Sequence, residues 1–533
     1  MSGFSKRKLL KISLASVVGG DLLLGVGPLA PDLIAFAQAP VRGGVARAVV
    51  HPEPSSLMLG LVQNTPTQMV AGSIYESLLK YSPELKPLPS LAERWEISPD
   101  GKIYTFYLKK NVTWHDGKPF SADDVVFSTN VFLRETHPRW RPIASSHVEH
   151  IEKIDDSTVR YTLKNAFGPF ILMFEMSTTP IVPRHLYEGT DYKTNPSNAT
   201  PIGTGPFKFA EWQRGSYIKL VRNPAYHVAG LPYLDEVYWQ VIPDAAARVV
   251  AYETKTVDIL TGGTVENIDV DRLSKLPNSE MTGKGWEMIA PLSWLWFNHR
   301  QGLMAKKSFR HAVMHGVDRE FAKDVIWNGL ARIATGPVSS KTRFYSDQVQ
   351  KYPFDPTKAK ALLSEAGYGG EPIRLLTLPY GEAWTRWGEL VKQNLTEIGM
   401  NVQLVTTDVA GYGQRLSDWD YDLAFTWLSQ YGDPALGVAR TYTSTNIAKG
   451  SPFNNVAGYS NPEVDRLFAN AALANGEAER QELYTKVQQL LVEDVPVAWM
   501  LELEFPTIYR ANFKNLIKTA TGMNDAFQDA WKV

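Results

Sequence analysis

The stretch from Ile103 to Thr129 constrains the fold of this 533-residue chain more than any other segment. Aromatic and β-branched residues alternate with period two over residues 103–108, which predicts a strand. A His-Asp-Gly turn follows. Ser121, with Asp124 three residues later, is typical of a helix N-terminus. The stretch therefore predicts a strand, a turn and a capped helix, as in α/β proteins.

The residues of this unit are more specific than their pattern. The string from Trp114 to Val125, WHDGKPFSADDV, resembles the signature of the large extracytoplasmic solute-binding proteins of ABC importers, the peptide, nickel and oligosaccharide binding family. Four further segments resemble the same family: Ile202–Phe207, Arg222–Tyr226, Asp355–Gly367 and Asn461–Asp465. The resemblance runs from about residue 43 to the end. It implies that the signature marks the fold and does not contact the ligand.

The resemblance also implies an architecture. We expect an α/β fold of the two-lobed periplasmic binding protein type, in its large form, with mixed sheets, an extra inserted subdomain and a hinge between the lobes. Lobe I is expected at residues 38–290, with the inserted subdomain at about 85–202. Lobe II is expected at 291–503, and residues 504–533 return to lobe I. Alternating strand and helix patterns after residue 372 predict parallel pairing in lobe II.

Composition excludes several classes of function. The chain has 55 basic and 56 acidic residues, a net charge of −1, which argues against a nucleic-acid surface. It has no cysteine, which excludes disulfides, thiolate metal sites, a cysteine nucleophile and a lipidated N-terminal cysteine. No phosphate loop, nucleophile elbow or His-Glu-x-x-His motif is present, so no catalytic residue, metal or cofactor is predicted.

The N-terminus resembles a secretory signal. Basic residues around Lys6-Arg7 precede a mildly apolar run, and Ala35-Phe36-Ala37 forms a small-x-small cleavage site. We expect residues 1–37 to be a signal peptide, similar to a twin-arginine signal, although a lysine stands at the first arginine position. An uncleaved anchor is the alternative, but the run is interrupted by glycine and Asp21. The expected product is soluble and periplasmic.

Helices are predicted over Met69–Tyr81 and Phe309–Ile326. The first has apolar residues at helix spacing and also resembles a helix of the family. The second carries His311 and His315 on one face. Two histidines at this spacing can bind zinc, but no third ligand is evident, so a solvated helix face is the favoured interpretation.

The candidate ligand site is the segment from Trp427 to Pro434, WLSQYGDP, which leaves a buried strand. The family pattern is roughly Trp-x-x-Asp-Tyr-x-Asp-Pro, and in peptide-binding members its first aspartate accepts the α-ammonium of the ligand. Here that position is Gln430, which offers hydrogen bonds but no charge. We therefore expect a neutral or anionic solute without a free α-amine held in that way. Asp433 matches the second aspartate, which is more often a turn and N-cap residue.

Other residues complete the predicted site. Arginine suits a carboxylate, and tryptophan or tyrosine suits an apolar or sugar face. One of the two tryptophans on the strand PLSWLWFNHR is expected to face ligand, although a core position for both is equally compatible. The predicted ligand-binding set is Trp427, Gln430, Tyr431, Asp433, Trp294, Trp296, Thr264, Trp384, Arg386, Tyr412 and Arg440.

The function implied by the resemblance is capture of a small peptide-like, amino-acid-derived or sugar solute by hinge closure. The solute would be delivered to an inner-membrane ABC permease with its ATPase, and the protein would act as a monomer without catalysing a reaction. A ligand-sensing receptor module is the alternative, and a secreted hydrolase is a remote one.

Overall fold

The structure, a computed structural model, describes residues 39–533; the predicted signal peptide lies outside them. The strands are β1 (Val45–Val50), β2 (Leu79–Tyr81), β3 (Pro87–Pro89), β4 (Ala92–Ile97), β5 (Ile103–Leu108), β6 (Val148–Asp155), β7 (Thr158–Leu163), β8 (Phe207–Gln213), β9 (Tyr217–Arg222), β10 (Glu236–Val241), β11 (Ile259–Leu260), β12 (Ser279–Thr282), β13 (Leu292–Phe297), β14 (Ala331–Ile333), β15 (Pro372–Leu376), β16 (Asn401–Val405), β17 (Leu423–Leu428), β18 (Val497–Leu503), β19 (Thr507–Arg510), β20 (Phe513–Lys514) and β21 (Trp531–Lys532).

The helices are α1 (Thr65–Ala71), α2 (Ala122–Val126), α3 (Leu133–Thr136), α4 (Trp140–His147), α5 (Arg184–Tyr187), α6 (Ala245–Glu253), α7 (Asn267–Ser274), α8 (Lys307–Gly316), α9 (Arg319–Phe321), α10 (Pro356–Glu365), α11 (Glu382–Glu397), α12 (Val409–Asp418), α13 (Pro434–Gly437), α14 (Ala439–Tyr442), α15 (Pro462–Leu473) and α16 (Glu477–Asp494). Within residues 39–533, no helix combines the length and apolar character needed to cross a bilayer.

The first lobe is built on a seven-stranded mixed sheet with the order β12-β19-β11-β1-β10-β9-β8. Its central strand β1 pairs in parallel with β10 and β11, and the other pairs are antiparallel. β19 (Thr507–Arg510) comes from near the end of the chain and pairs with β11 and β12 in this sheet.

A separate antiparallel sheet with the order β4-β5-β7-β6 lies within the stretch where an inserted subdomain is expected. We call residues 92–182 the inserted region. The strand, turn and capped helix predicted for residues 103–129 are confirmed there. Ser121 and Asp124 form a reciprocal capping box at the start of α2, which continues as a π-helical segment over Phe127–Phe132. The apolar side chains of the inserted region share one hydrophobic core with the first lobe.

The second lobe is built on a six-stranded sheet with the order β14-β18-β13-β17-β15-β16. The parallel pairing predicted here is confirmed for β15, which pairs in parallel with both β16 and β17. β13 lies between β18 and β17 and pairs antiparallel with both. All six of its residues are buried, and five of them belong to a hydrophobic core whose buried members all come from residues 292–503.

Two helices predicted from apolar spacing end early. The helix expected over Met69–Tyr81 is confined to α1, and Leu79–Tyr81 is a strand. A Cβ at Gly72 would lie 1.7 Å from the backbone oxygen of Asn524, so this close approach fixes the turn after α1. The helix expected over Phe309–Ile326 is broken after Gly316, because Asp318 caps a new helix start.

The solvated face predicted for His311 and His315 is wrong for His315, which is buried. Its Nδ1 hydrogen-bonds the Pro353 oxygen at 2.8 Å, and its ring packs on Tyr352. His311 Nε2 hydrogen-bonds the Glu493 oxygen at 2.9 Å. Each histidine thus satisfies a backbone carbonyl.

Candidate functional site

A cavity of about 380 Å³ lies between the inserted region and the second lobe. Helix α4 and the segment after Phe170 form one wall, and the segment after β17 forms the other. The lining residues are Pro138, Arg139, Pro142, Ile143, Leu172, Met173, Glu175, Thr178, Met288, Tyr431, Ala435, Leu436, Arg440, Asn446 and Asn454. We call this space the interlobe cavity.

Tyr431 is positioned by an unusual backbone turn directly after β17. Its φ is 53°, in the left-handed region that a tyrosine rarely adopts, and Gly432 follows with φ 72°. The backbone N–H of Gln430 donates to the Ile289 oxygen at 2.8 Å, which anchors the turn. Such backbone strain is concentrated at functional sites, where the surrounding structure holds it in place.

Two guanidinium groups flank the Tyr431 ring. Arg139 from the inserted region lies 4.2 Å from the ring centroid, and Arg440 from α14 lies 5.5 Å from it. Burial would raise the pKa of the Tyr431 hydroxyl, but the charges of Arg139 and Arg440 outweigh burial and lower it. The tyrosine therefore lies in a positive field that both lobes create.

The charges in the interlobe cavity do not balance. Glu175 is near Arg139, at 3.3 Å from Oε1 to Nη2, but its other oxygen accepts from the Ser177 N–H and hydroxyl. Arg440 donates to the backbone oxygens of Gly437 and Ser429, and it forms no salt bridge within residues 39–533. Burial lowers the pKa of Arg440. A partly buried guanidinium without an anion favours binding of an anionic group.

Gln430 does not line the interlobe cavity. Its Oε1 accepts from the Ser339 N–H at 2.8 Å and the Thr342 hydroxyl at 2.9 Å, and its Nε2 donates to the Pro337 oxygen at 2.9 Å. The side chain is buried, so the amide holds the 337–342 loop against the end of β17.

Asp433 is the N-cap of α13, as the sequence suggested, and accepts from the Ala435 N–H at 3.0 Å. It is fully buried and pairs with Arg480 of α16 at 2.9 Å. Asp433 therefore supports the segment that lines the interlobe cavity and is not itself a lining residue.

Trp427 and the Thr264 loop converge on Phe505, which follows β18. The Trp427 and Trp286 ring centroids lie 5.9 Å and 5.2 Å from that of Phe505. A Cβ at Gly262, two residues before Thr264, would lie 2.2 Å from the Phe505 oxygen. Thr264 itself is buried, and its hydroxyl donates to the Thr261 oxygen. These residues connect the two lobes through aromatic contacts.

Five predicted site residues lie elsewhere. Trp294 and Trp296 are core residues, because β13 is a central strand with both faces covered. Trp384 stacks on Trp387 in the same core. Tyr412 is buried and donates to the Phe425 oxygen, and Arg386 lies on the exposed face of α11. The structure does not bring these five to the interlobe cavity.

Sequence reasoning missed Arg139, Glu175 and Phe505. Arg139 lies 292 positions before Tyr431, and no local pattern separates it from an ordinary surface arginine. For Phe505, the one available signal was its position as an aromatic residue shortly after the buried strand β18.

Comparison with known proteins gives consistent results. The profile of bacterial extracellular solute-binding proteins, family 5 Middle, matches residues 86–449. The chain is 28% identical over 479 residues to heme-binding protein A of Haemophilus influenzae, covering 85% of each chain. Periplasmic binding protein DppA from Helicobacter pylori, in complex with peptide STSA, is similar with a TM-score of 0.79 and 26% identity, covering 92% of this chain and 98% of that one. AgaA of A. tumefaciens, in complex with agropinic acid, gives a TM-score of 0.77 and 26% identity, covering 92% and 99%.

The fold and the cavity between its lobes thus define a two-lobed binding protein, and the predicted α/β fold class is confirmed. The chain belongs to the bacterial extracellular solute-binding proteins of family 5, which confirms the family indicated by its sequence motifs. It is a solute-binding component of an ABC importer.

Proposed function

We propose that this protein captures a small solute that carries a carboxylate, and that it holds this group in the interlobe cavity beside Arg440 and Arg139. A peptide-like or amino-acid-derived acid fits this description. The observation that carries the proposal is the positive field around Tyr431, where two guanidinium groups face one engaged carboxylate, that of Glu175.

The comparisons support a solute of this kind. One similar protein is in complex with a peptide and another with agropinic acid. Aspartate at position 430 would provide a charge for an α-ammonium, and this chain has glutamine there, with its amide engaged by the 337–342 loop. A carboxylate is therefore the better supported anchoring group.

Capture follows from the position of the cavity between lobes. The lobes of this proposal are residues 38–290 with 504–533, and residues 291–503. Arg139 and Arg440 are supplied by opposite walls, so a bound anion stabilises the closed arrangement over an open one. Binding energy shifts this equilibrium only through a difference in affinity between the two states.

The wider role follows from the family. The protein acts as a monomer in the periplasm, after cleavage near Ala37, and delivers its solute to an inner-membrane permease driven by an ATPase. It catalyses no reaction, because capture and release are sufficient for delivery.

Native mass spectrometry of protein purified without refolding tests the solute class. We expect a co-purified species with an acidic group, and a solute without one would contradict the proposal. Calorimetry with the N-acetylated tetrapeptide N-acetyl-Ser-Thr-Ser-Ala, which has no free α-amine, and its C-terminal amide is the second arm. We expect the acid to bind at least about tenfold more tightly, in line with a hydrogen bond to a charged group.

Two matched variants test whether the carboxylate of the solute lies beside Arg440. Arg440→Gln should abolish the preference for the acid over the amide, and Arg386→Gln should keep it, because Arg386 is exposed on α11 away from the cavity lining. Equal affinity of acid and amide for the unmodified protein, or an effect of Arg386→Gln alone, would place the site elsewhere.

A further inference from the structure

A second concave space adjoins the interlobe cavity. It is a groove of about 610 Å³ between the inserted region and α15 of the second lobe. Ile143 and Ala435 belong to the walls of both spaces, so the groove begins where the interlobe cavity ends. Its remaining apolar wall includes Phe167, Ala439, Phe468, Ala469 and Leu473.

The charged side chains that line the groove, Asp465 and Arg466, already have partners. Asp465 accepts from the backbone N–H of Ser444 at 2.9 Å. Arg466 forms two hydrogen bonds with Glu463, at 2.6 Å and 2.8 Å. His147 stacks on Phe167 at 3.9 Å, and burial, with the charge of Lys164, lowers its pKa. The groove thus offers apolar surface and no unpaired charge to an occupant.

Resting on the proposed function, we propose that the groove holds an apolar segment of the same solute whose carboxylate lies beside Arg440 and Arg139. The ligand is then an amphipathic acid, a carboxylate joined to an acyl chain. A carboxylate that ended in the cavity would leave this continuous apolar surface exposed to water. An apolar extension removes it from water together with the extension itself.

Calorimetry with N-acetylglycine, N-hexanoylglycine and N-decanoylglycine tests the inference on the full mature chain. The three probes share one carboxylate and differ in apolar length. Each buried methylene contributes about 0.8 kcal/mol, so each should tighten binding about three- to fourfold until the groove is filled. The hexanoyl compound should therefore bind on the order of a hundredfold more tightly than the acetyl compound.

Neighbouring residues on α15 give a matched pair of variants. Ala469 lines the groove and Asn470 does not, and both are exposed. Ala469→Trp should remove the gain with chain length, and Asn470→Trp should keep it. Leu473→Asp, which adds a charge to the same wall, should reproduce the loss and provides a second variant should Ala469→Trp unfold.

The outcomes separate the two proposals. Affinities independent of chain length, or equal losses in the Ala469→Trp and Asn470→Trp variants, would overturn the groove inference. If N-acetylglycine still binds and is weakened by Arg440→Gln, the proposed function stands without the groove. If no probe binds, both proposals fail for this class of acid.

Discussion

Asp433 and Arg480 form a fully enclosed ion pair, 2.9 Å from Oδ1 to Nη2, with side chains 0% and 3% exposed. The pair joins the turn that carries Tyr431 to helix α16. Removing one member of such a pair leaves a buried charge without a partner. We therefore expect Asp433→Ala to lower the free energy of unfolding by about 3–5 kcal/mol in urea denaturation.

The control lies on the same helix. Glu482 and Lys486 form an exposed pair at 2.7 Å, so Glu482→Ala should change the free energy of unfolding by less than about 1 kcal/mol. In an Asp433→Ala background, Arg480→Met should restore part of the loss, because it removes the orphaned charge. A small effect of Asp433→Ala alone would show that the pair does not stabilise the fold.

Substitutions that place a negative charge at position 430 are expected to lower the free energy of unfolding, because Gln430 has a structural role. Gln430→Glu replaces the donor to the Pro337 oxygen with an acceptor, so two acceptors would face each other in a buried site. We expect a loss of about 1–3 kcal/mol in the free energy of unfolding, measured in urea. Gln430→Asp should be at least as destabilising, because its shorter side chain cannot span the loop.

Gln350→Glu is the matched control, since Gln350 is exposed. It should leave the free energy of unfolding within about 0.5 kcal/mol of the unmodified protein. If Gln430→Asp retained full stability and bound free amines, Gln430 would contact the solute directly, as the family motif implies.

Acid stability should depend on Glu76. Its carboxylate is buried and accepts hydrogen bonds from His227 and Tyr226, each at 2.9 Å. Burial would raise the pKa of Glu76, but the charge and hydrogen bond of His227, with Lys80 and Tyr226, lower it from 4.5 to about 2. The lowered pKa stabilises the folded protein above pH 4.5 by about 3 kcal/mol, and this contribution is lost as the pH falls from 4.5 to 2.

Urea denaturation at a series of pH values checks this. Glu76→Gln should be less stable at pH 7, and its free energy of unfolding should fall less steeply in acid. The exposed variant Glu389→Gln should follow the unmodified protein. Identical acid slopes for the Glu76→Gln variant and the unmodified protein would assign the acid sensitivity to other carboxylates.

Gly168 marks a tight contact between the inserted region and the second lobe. Its N–H donates to the Ala472 oxygen at 2.9 Å, and a Cβ there would lie 2.8 Å from Arg480 Nε. Gly168→Ala should therefore destabilise the closed arrangement relative to the open one. If the destabilisation is about 1.4 kcal/mol, solute binding becomes about tenfold weaker. Calorimetry with the co-purified solute measures the loss.

Gly302 has open space around its Cβ position, and Gly302→Ala should leave affinity unchanged. If Gly168→Ala bound solute as tightly as the unmodified protein, the Gly168–Ala472 contact would have no part in closure.

The sequence was most informative where local pattern and family motif coincide. The strand, turn and capped helix after Ile103 depend on neighbouring residues, and they were predicted correctly. The helix expected over Met69–Tyr81 ends early because Gly72 packs against Asn524, 452 positions away. The spacing of apolar residues near Gly72 does not reveal this distant contact. Tertiary packing therefore ends the helix although the helical periodicity continues.

The candidate site shows the same limit. Tyr431 and Arg440 were predicted because they lie in or near a motif. Arg139 belongs to the inserted region, and only the folded structure brings it close to Tyr431. Trp294 and Trp296 have a pattern that suits a ligand-facing strand equally well. Only the pairing of β13 between β17 and β18 shows that they belong to the core.

The strands β13 and β18 also determine how the lobes can move. Along the chain, β13 is the first strand of the second-lobe sheet and β18 is the last, and the start of β13 lies beside the end of β18. Leu292 is paired with Glu502, and the Leu503 N–H donates to the Pro291 oxygen at 2.9 Å. The chain segments that continue from these two ends are therefore held side by side, which disfavours independent movement of the two connections. Opening of this protein should therefore be rotation about a single axis, and one pair of spectroscopic labels across the lobes is sufficient to follow it.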